Sequence, residues 1–185
     1  MTDFSRRGIL LAGGSAAFLA ACNNSVGSQG PARIDARVDA TLRALYSQYP
    51  GTQQLRDKSA GILVMPLVTE AGLGLGGAYG RGALQVNGAT VDYYSTTRAS
   101  AGLQIGAQQY AHVLFFMTED ALMTFRRSPG WTAGANVEYA IPEGGETLAA
   151  ETLTSTSPVI AVIFAQSGLR AGATIEGTKY TRIIP

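Results

Sequence analysis

The chain has 185 residues, with 14 basic and 13 acidic side chains, one histidine and one cysteine. That balance lacks the basic excess a nucleic-acid binder needs for its phosphate contacts, and a lone cysteine excludes an internal disulfide. Glycine is abundant at 23 residues, and its placement carries information about the fold.

Residues 1–21 read as a leader rather than as part of a domain. Ser5-Arg6-Arg7-Gly8-Ile9-Leu10 resembles a twin-arginine export signal. The apolar run that follows, residues 9–20, is short of the ~20 apolar residues a spanning helix requires. It ends in Leu19-Ala20-Ala21-Cys22, which resembles a lipobox. The expected product starts at Cys22 and carries a thioether-linked diacylglycerol there, and two acyl chains suffice for stable anchoring. Asn23 in place of Asp after the cysteine leans toward the outer membrane over the inner. The expected location is therefore the cell envelope, lipid-anchored and facing the periplasm. Loss of residues 1–21, with Asp3, Arg6 and Arg7, leaves 164 residues and 12 side chains of each charge. That is one domain's worth of chain. Residues 22–31 are polar and rich in Gly and Ser, a flexible tether, and residues 32–185 form the domain.

Ile34, Val38, Leu42, Leu45, Tyr46 and Tyr49 recur at helical spacing and predict an amphipathic helix over 32–49. Pro50-Gly51 ends it, and a short helix over 52–59 is expected next. From Gly61 the period changes. Ile62-Leu63-Val64-Met65 reads as a buried strand, and glycines at 72, 74, 76, 80 and 82 then interleave with Leu73, Leu75 and Tyr79. Alternation makes one face apolar and the other nearly bare backbone. Such a strand suits a tightly curled sheet, or leaves a groove for an acyl chain. Asn87-Gly88 between 84–86 and 90–94 is a hairpin signal. Further strands are expected over 102–107, 111–117, 131–141, 158–164 and 172–184. A helix begins at Thr118-Glu119-Asp120, with Arg126 and Arg127 in its last turn, both favourable to the helix dipole. Residues 146–157 read as an acidic, Thr-rich loop or short surface helix. The fold class is α+β: a curled antiparallel or small barrel-like sheet of about seven or eight strands, with two or three helices.

Several stretches resemble a known family. Gly61-Ile62-Leu63-Val64-Met65-Pro66 and Ala71-Gly72-Leu73-Gly74-Leu75-Gly76-Gly77-Ala78-Tyr79-Gly80-Arg81-Gly82 are similar to the start of the SYLF domain. Tyr94-Ser95, residues 102–108, residues 113–117 and Gly168-Leu169-Arg170-Ala171-Gly172-Ala173-Thr174-Ile175-Glu176-Gly177 continue the likeness in order. The resemblance implies a non-catalytic domain that binds phosphoinositides or other anionic lipids, helped by an amphipathic N-terminal helix. Some members bundle actin, a partner not expected for an exported bacterial lipoprotein. Phe164-Ala165-Gln166-Ser167 departs from the Tyr-Ser-Arg-type run of relatives and so omits a positive charge.

Among site candidates, Gly72-Leu73-Gly74-Leu75-Gly76-Gly77, with Asp92 downstream, has the spacing of a dinucleotide fingerprint. The helix N-terminus that would hold a pyrophosphate does not follow it. His112 lacks companion ligands for a metal and partners for a catalytic triad, so it reads as structural. The carboxylates are too scattered for paired acid–base chemistry. No enzyme activity, cofactor or metal is expected. Arg33, Arg37 and Arg43 flank the helix stripe, and with Arg81 and Arg98 they are the candidates for lipid contact, although Asp35 and Asp39 dilute the helix's positive face. The expected partners are anionic lipids or another amphiphile. The alternative is an interaction module recruiting other envelope proteins, for which the acidic run 143–151 and neutral charge speak.

Overall fold

The computed structural model describes residues 29–134, 137–140, 157–168 and 174–185. The leader, Cys22, most of the tether, the acidic run 143–151 and residues 169–173 of the family likeness lie outside the described residues. Three helices are present among the described residues: α1 (Gly30–Gln48), α2 (Gly51–Lys58) and α3 (Glu119–Arg127). Six strands accompany them: β1 (Gly61–Val86), β2 (Ala89–Phe116), β3 (Trp131–Thr132), β4 (Val137–Ala140), β5 (Val159–Gly168) and β6 (Lys179–Ile183). None of the described helices is long and apolar enough to cross a membrane.

The frame is one very long hairpin. β1 has 26 residues and β2 has 28, joined by Asn87-Gly88, both at positive φ. The segments expected as separate strands are thus continuous. Register shifts between Met65 and Val68, between Leu73 and Leu75, and between Leu84 and Gln85 bend the hairpin, as bulges do. Counting each bent strand as two arms gives eight strand segments in a curled half-barrel.

Curling brings the two arms of β1 against each other, and this accounts for the glycines. A Cβ on Gly80 would sit 2.7 Å from the Leu67 carbonyl oxygen, and one on Gly82 would overlap that of Val64. Bare backbone at these positions is the condition for close approach of two chain segments. At Gly80 and Gly82, therefore, the glycine face is packed against backbone rather than open as a groove.

β2 pairs along its other edge with β6 in its first half (Tyr93–Thr97) and with β5 in its second (Gln108–Phe116). The outer strands correct two expectations. Within the expected strand 131–141 two short strands are described, β3 and β4, and the Val137 amide at the start of β4 bonds back to the Gly134 carbonyl at 3.1 Å. β3 joins β6, while β4 joins β5 in parallel, so the sheet is mixed. A parallel neighbour needs a crossover of a dozen or more residues, which the eighteen between Ala140 and Val159 supply. Residues 174–178 are also not strand. They turn at Glu176-Gly177, with Gly177 at φ +71°, before β6 begins.

Both faces of the central strands are covered, which explains the continuous apolar runs. Ile62, Val64, Val113, Phe115, Ile160 and Val162 pack under Ile34, Val38, Leu42, Leu45 and Leu55 of α1 and α2. Leu63, Met65, Leu114, Phe116, Ala161 and Ile163 face the interior with Phe125 of α3, Trp131 and Tyr180. The α1 stripe is therefore core, and each large apolar side chain so buried is worth roughly 1.5–3 kcal/mol. Asp35 fixes the helix further, accepting hydrogen bonds from Tyr93 Oη at 2.8 Å and Thr90 Oγ1 at 3.0 Å. Burial, and then that bond to Asp35, push the Tyr93 phenol up to about 12.

Candidate lipid-facing cleft

α1 and α2 cover the exterior of the hairpin, and the cover ends where α1 begins. There a cleft of about 650 Å³ opens between the first turns of α1 and the two arms of β1. Arg33 and Arg37 stand on its helical wall. Pro66, Leu67 and Thr69 of one arm, with Tyr79, Gly80 and Arg81 of the other, line the opposite side. Leu67 is 41% exposed and Tyr79 48%, so the cleft offers open apolar surface beside its cations.

Electrostatics there favour an anion. No acidic residue occupies the first turn of α1, and no side chain caps its N-terminus. The positive end of a 19-residue helix dipole therefore adds to the guanidinium charges of Arg33 and Arg37. Arg81 is held in place by its neighbour: its Nε donates to Tyr79 Oη at 2.7 Å, and its guanidinium carbon lies 5.9 Å from the centre of the same ring. An arginine held through Nε by an aromatic hydroxyl presents its remaining N–H fork to an oxyanion with little further loss of entropy.

Of the five arginines proposed from sequence, Arg33, Arg37 and Arg81 come together at this cleft. Arg43 is exposed farther along α1, outside the cleft lining. Arg98 is placed elsewhere. Its side chain turns into the half-barrel, where Nη2 pairs with Glu70 Oε2 at 2.6 Å and Nη1 donates to the Thr174 carbonyl at 2.5 Å. Gln108 Nε2 donates to the same Glu70 oxygen at 2.7 Å. This interior cluster was missed in the sequence. Strand alternation holds the signal for it, since Thr96 and Arg98 fall on the face of Tyr94 and so point inward.

His112 lies in the same interior, fully buried, with Nε2 2.8 Å from Tyr180 Oη. Burial, and then the nearby Arg98 charge, lower its pKa from 6.5 to about 3, so the ring is neutral at ordinary pH. No three His, Cys, Asp or Glu side chains among the described residues are grouped to hold a metal. The glycines of residues 72–77 lie within β1 rather than ahead of a helix, so the dinucleotide geometry is not there.

The Ysc84 family model, described as Las17-binding protein actin regulator, matches residues 97–182. Over that stretch, 86 of the 185 residues, the chain matches the SYLF family that the sequence resembles. This is a family of binding domains, known for lipid binding and actin-related roles. No curated protein matches the chain. The SYLF match includes Arg98, Gln108, His112 and Tyr180 of the interior, whereas Arg33, Arg37 and Arg81 of the cleft precede it.

Proposed function

We propose that this protein is a non-catalytic envelope lipoprotein whose SYLF domain binds the headgroup of an anionic lipid, or a similar amphiphile, in the cleft at the start of α1. The observation that carries the reading is the convergence of Arg33, Arg37 and Arg81 with an uncapped helix N-terminus beside exposed Leu67 and Tyr79. An amphiphile has the matching parts: an oxyanion for the cations and an apolar tail for the open hydrophobic wall. The anchor follows from Cys22, whose lipobox-like setting and lack of an internal cysteine partner support acylation. Placement on the periplasmic side, at the outer membrane, rests on the twin-arginine pair and Asn23.

Two measurements test this. Flotation of a soluble form lacking residues 1–22 should show binding to anionic vesicles and little to neutral ones. Replacing Arg33, Arg37 and Arg81 together by alanine should remove most of it, at roughly 1 kcal/mol per basic side chain near an anionic surface. Equal flotation of the triple variant would move the site elsewhere, and no binding to either vesicle would end the lipid reading. Intact-mass analysis from an export-competent bacterial host should show a chain starting at an acylated Cys22. An unmodified chain retaining Met1 would refute the anchor.

A further inference from the structure

We infer that the domain docks onto the membrane that carries its own anchor, with the bend of β1 around Leu75 inserted into that surface. The inference rests on the lipid reading above and adds which membrane is bound, by which face, and through which apolar element.

The first observation is where the folded part begins. Gln29, the first described residue, lines the cleft itself. Six residues separate it from Cys22, seven Cα-to-Cα steps, so even a fully extended tether spans at most about 25 Å. The acylated sulfur therefore cannot stray far from Arg33, Arg37 and Arg81. A tether of that length holds the cleft at high effective concentration above its own bilayer, where weak contacts are saturated. The opposite end of the domain does not share this restraint. α1 runs 19 residues, about 28 Å, from the cleft to the junction with α2.

The second observation is the outward face of β1. Thr69, Ala71, Leu75, Gly77, Tyr79 and Arg81 are all exposed, in alternation with inward positions. The two arms that line the cleft are joined through the bend that carries Leu75, and Leu75 is 79% exposed. A large apolar side chain held out on a strand bend, flanked by the aromatic Tyr79 and a cationic cleft, matches the layers of a bilayer interface. Leucine fits the acyl boundary, tyrosine the headgroup level and arginine the phosphates. The charge fits an anionic surface rather than a basic protein.

The test uses the full-length lipoprotein in vesicles containing anionic lipid. Cysteine is introduced at Leu75 or, as a control, at Asp57 on α2, and labelled with an environment-sensitive dye; an acylated Cys22 does not react. With acyl-brominated lipids, the dye at position 75 should shift to the blue and lose most of its emission, while that at position 57 should do neither. Arg33→Ala/Arg37→Ala/Arg81→Ala in the Leu75→Cys background should restore the emission. Equal quenching at both positions, or none at 75, overturns the inference. So does a position 75 that becomes shielded only when other envelope proteins are added. If the soluble form floats with vesicles while position 75 stays wet in the anchored protein, lipid binding stands and docking on the home membrane fails.

Discussion

Arg81 and Arg98 lie three register positions apart on paired arms of one hairpin, where Arg81 faces Ser95 and Arg98 faces Ala78. Arg81 points outward, donates to the aromatic Tyr79 beside it and is exposed to solvent. Arg98 points inward, and Glu70, 1% exposed, neutralises it. Two identical side chains thus end in opposite settings, one exposed at the cleft and the other paired inside the half-barrel. Strand parity decides between them, because side chains alternate faces.

The most disruptive way to break this comparison is to remove the curl on which both regions depend. Gly82→Val would drive a branched side chain into the Val64 carbonyl and the Met65 sulfur. Backbone cannot step aside as a flexible side chain can, so the cost exceeds the 1–3 kcal/mol typical of overpacking. The expected result is loss of a cooperative thermal transition. A stable, vesicle-binding Gly82→Val protein would show that the arms do not meet there.

Next in size is Arg98→Ala, which removes the charge paired with the buried Glu70 carboxylate and leaves Gln108 Nε2 still donating to it. Breaking a buried pair from one side costs about 3–5 kcal/mol, whereas replacing both partners with apolar groups is often neutral. Chemical denaturation should therefore show Arg98→Ala strongly destabilised and Arg98→Met/Glu70→Leu largely recovered. The triple alanine variant of the cleft should unfold within about 0.5 kcal/mol of the parent, as exposed substitutions do. If Arg98→Ala lost vesicle binding while keeping its stability, the division between the two arginines would fall.

The helices and the hairpin turn were legible because their signals are local. The stripe from Ile34 to Leu45, the Thr118 cap bonded to the Ala121 amide, and Asn87-Gly88 each specify their own conformation. The curled sheet was legible from the glycines, although periodicity could not separate close packing from an open groove. The parallel β4–β5 pairing was not legible, since four residues carry no direction of pairing and the crossover decides it. In the site, Arg33 and Arg37 were readable as helix-surface charges. That Arg81 joins them depends on how far the hairpin bends, a long-range quantity. Glu70 and Arg98 are 28 positions apart in the chain, and only the bend makes them neighbours.

The gentlest probe of the interior is pH. His112 has its folded pKa depressed to about 3 from 6.5, because the charged ring would be desolvated and would face Arg98. The unfolded chain therefore binds a proton that the folded one refuses. Stability from this residue is complete above about pH 6.5 and declines as pH falls toward 3. The slope is close to 1.4 kcal/mol per pH unit. His112→Gln removes that linkage, so its denaturation free energy should fall less steeply than the parent's between pH 6 and 4. The absolute stability of the variant at pH 7 is a poor guide, since losing the bond to Tyr180 Oη also costs something. Only the difference in slope reports the titration. Parallel curves for parent and variant would mean that His112 accepts a proton in place, and that the polar interior tolerates a charge beside Arg98.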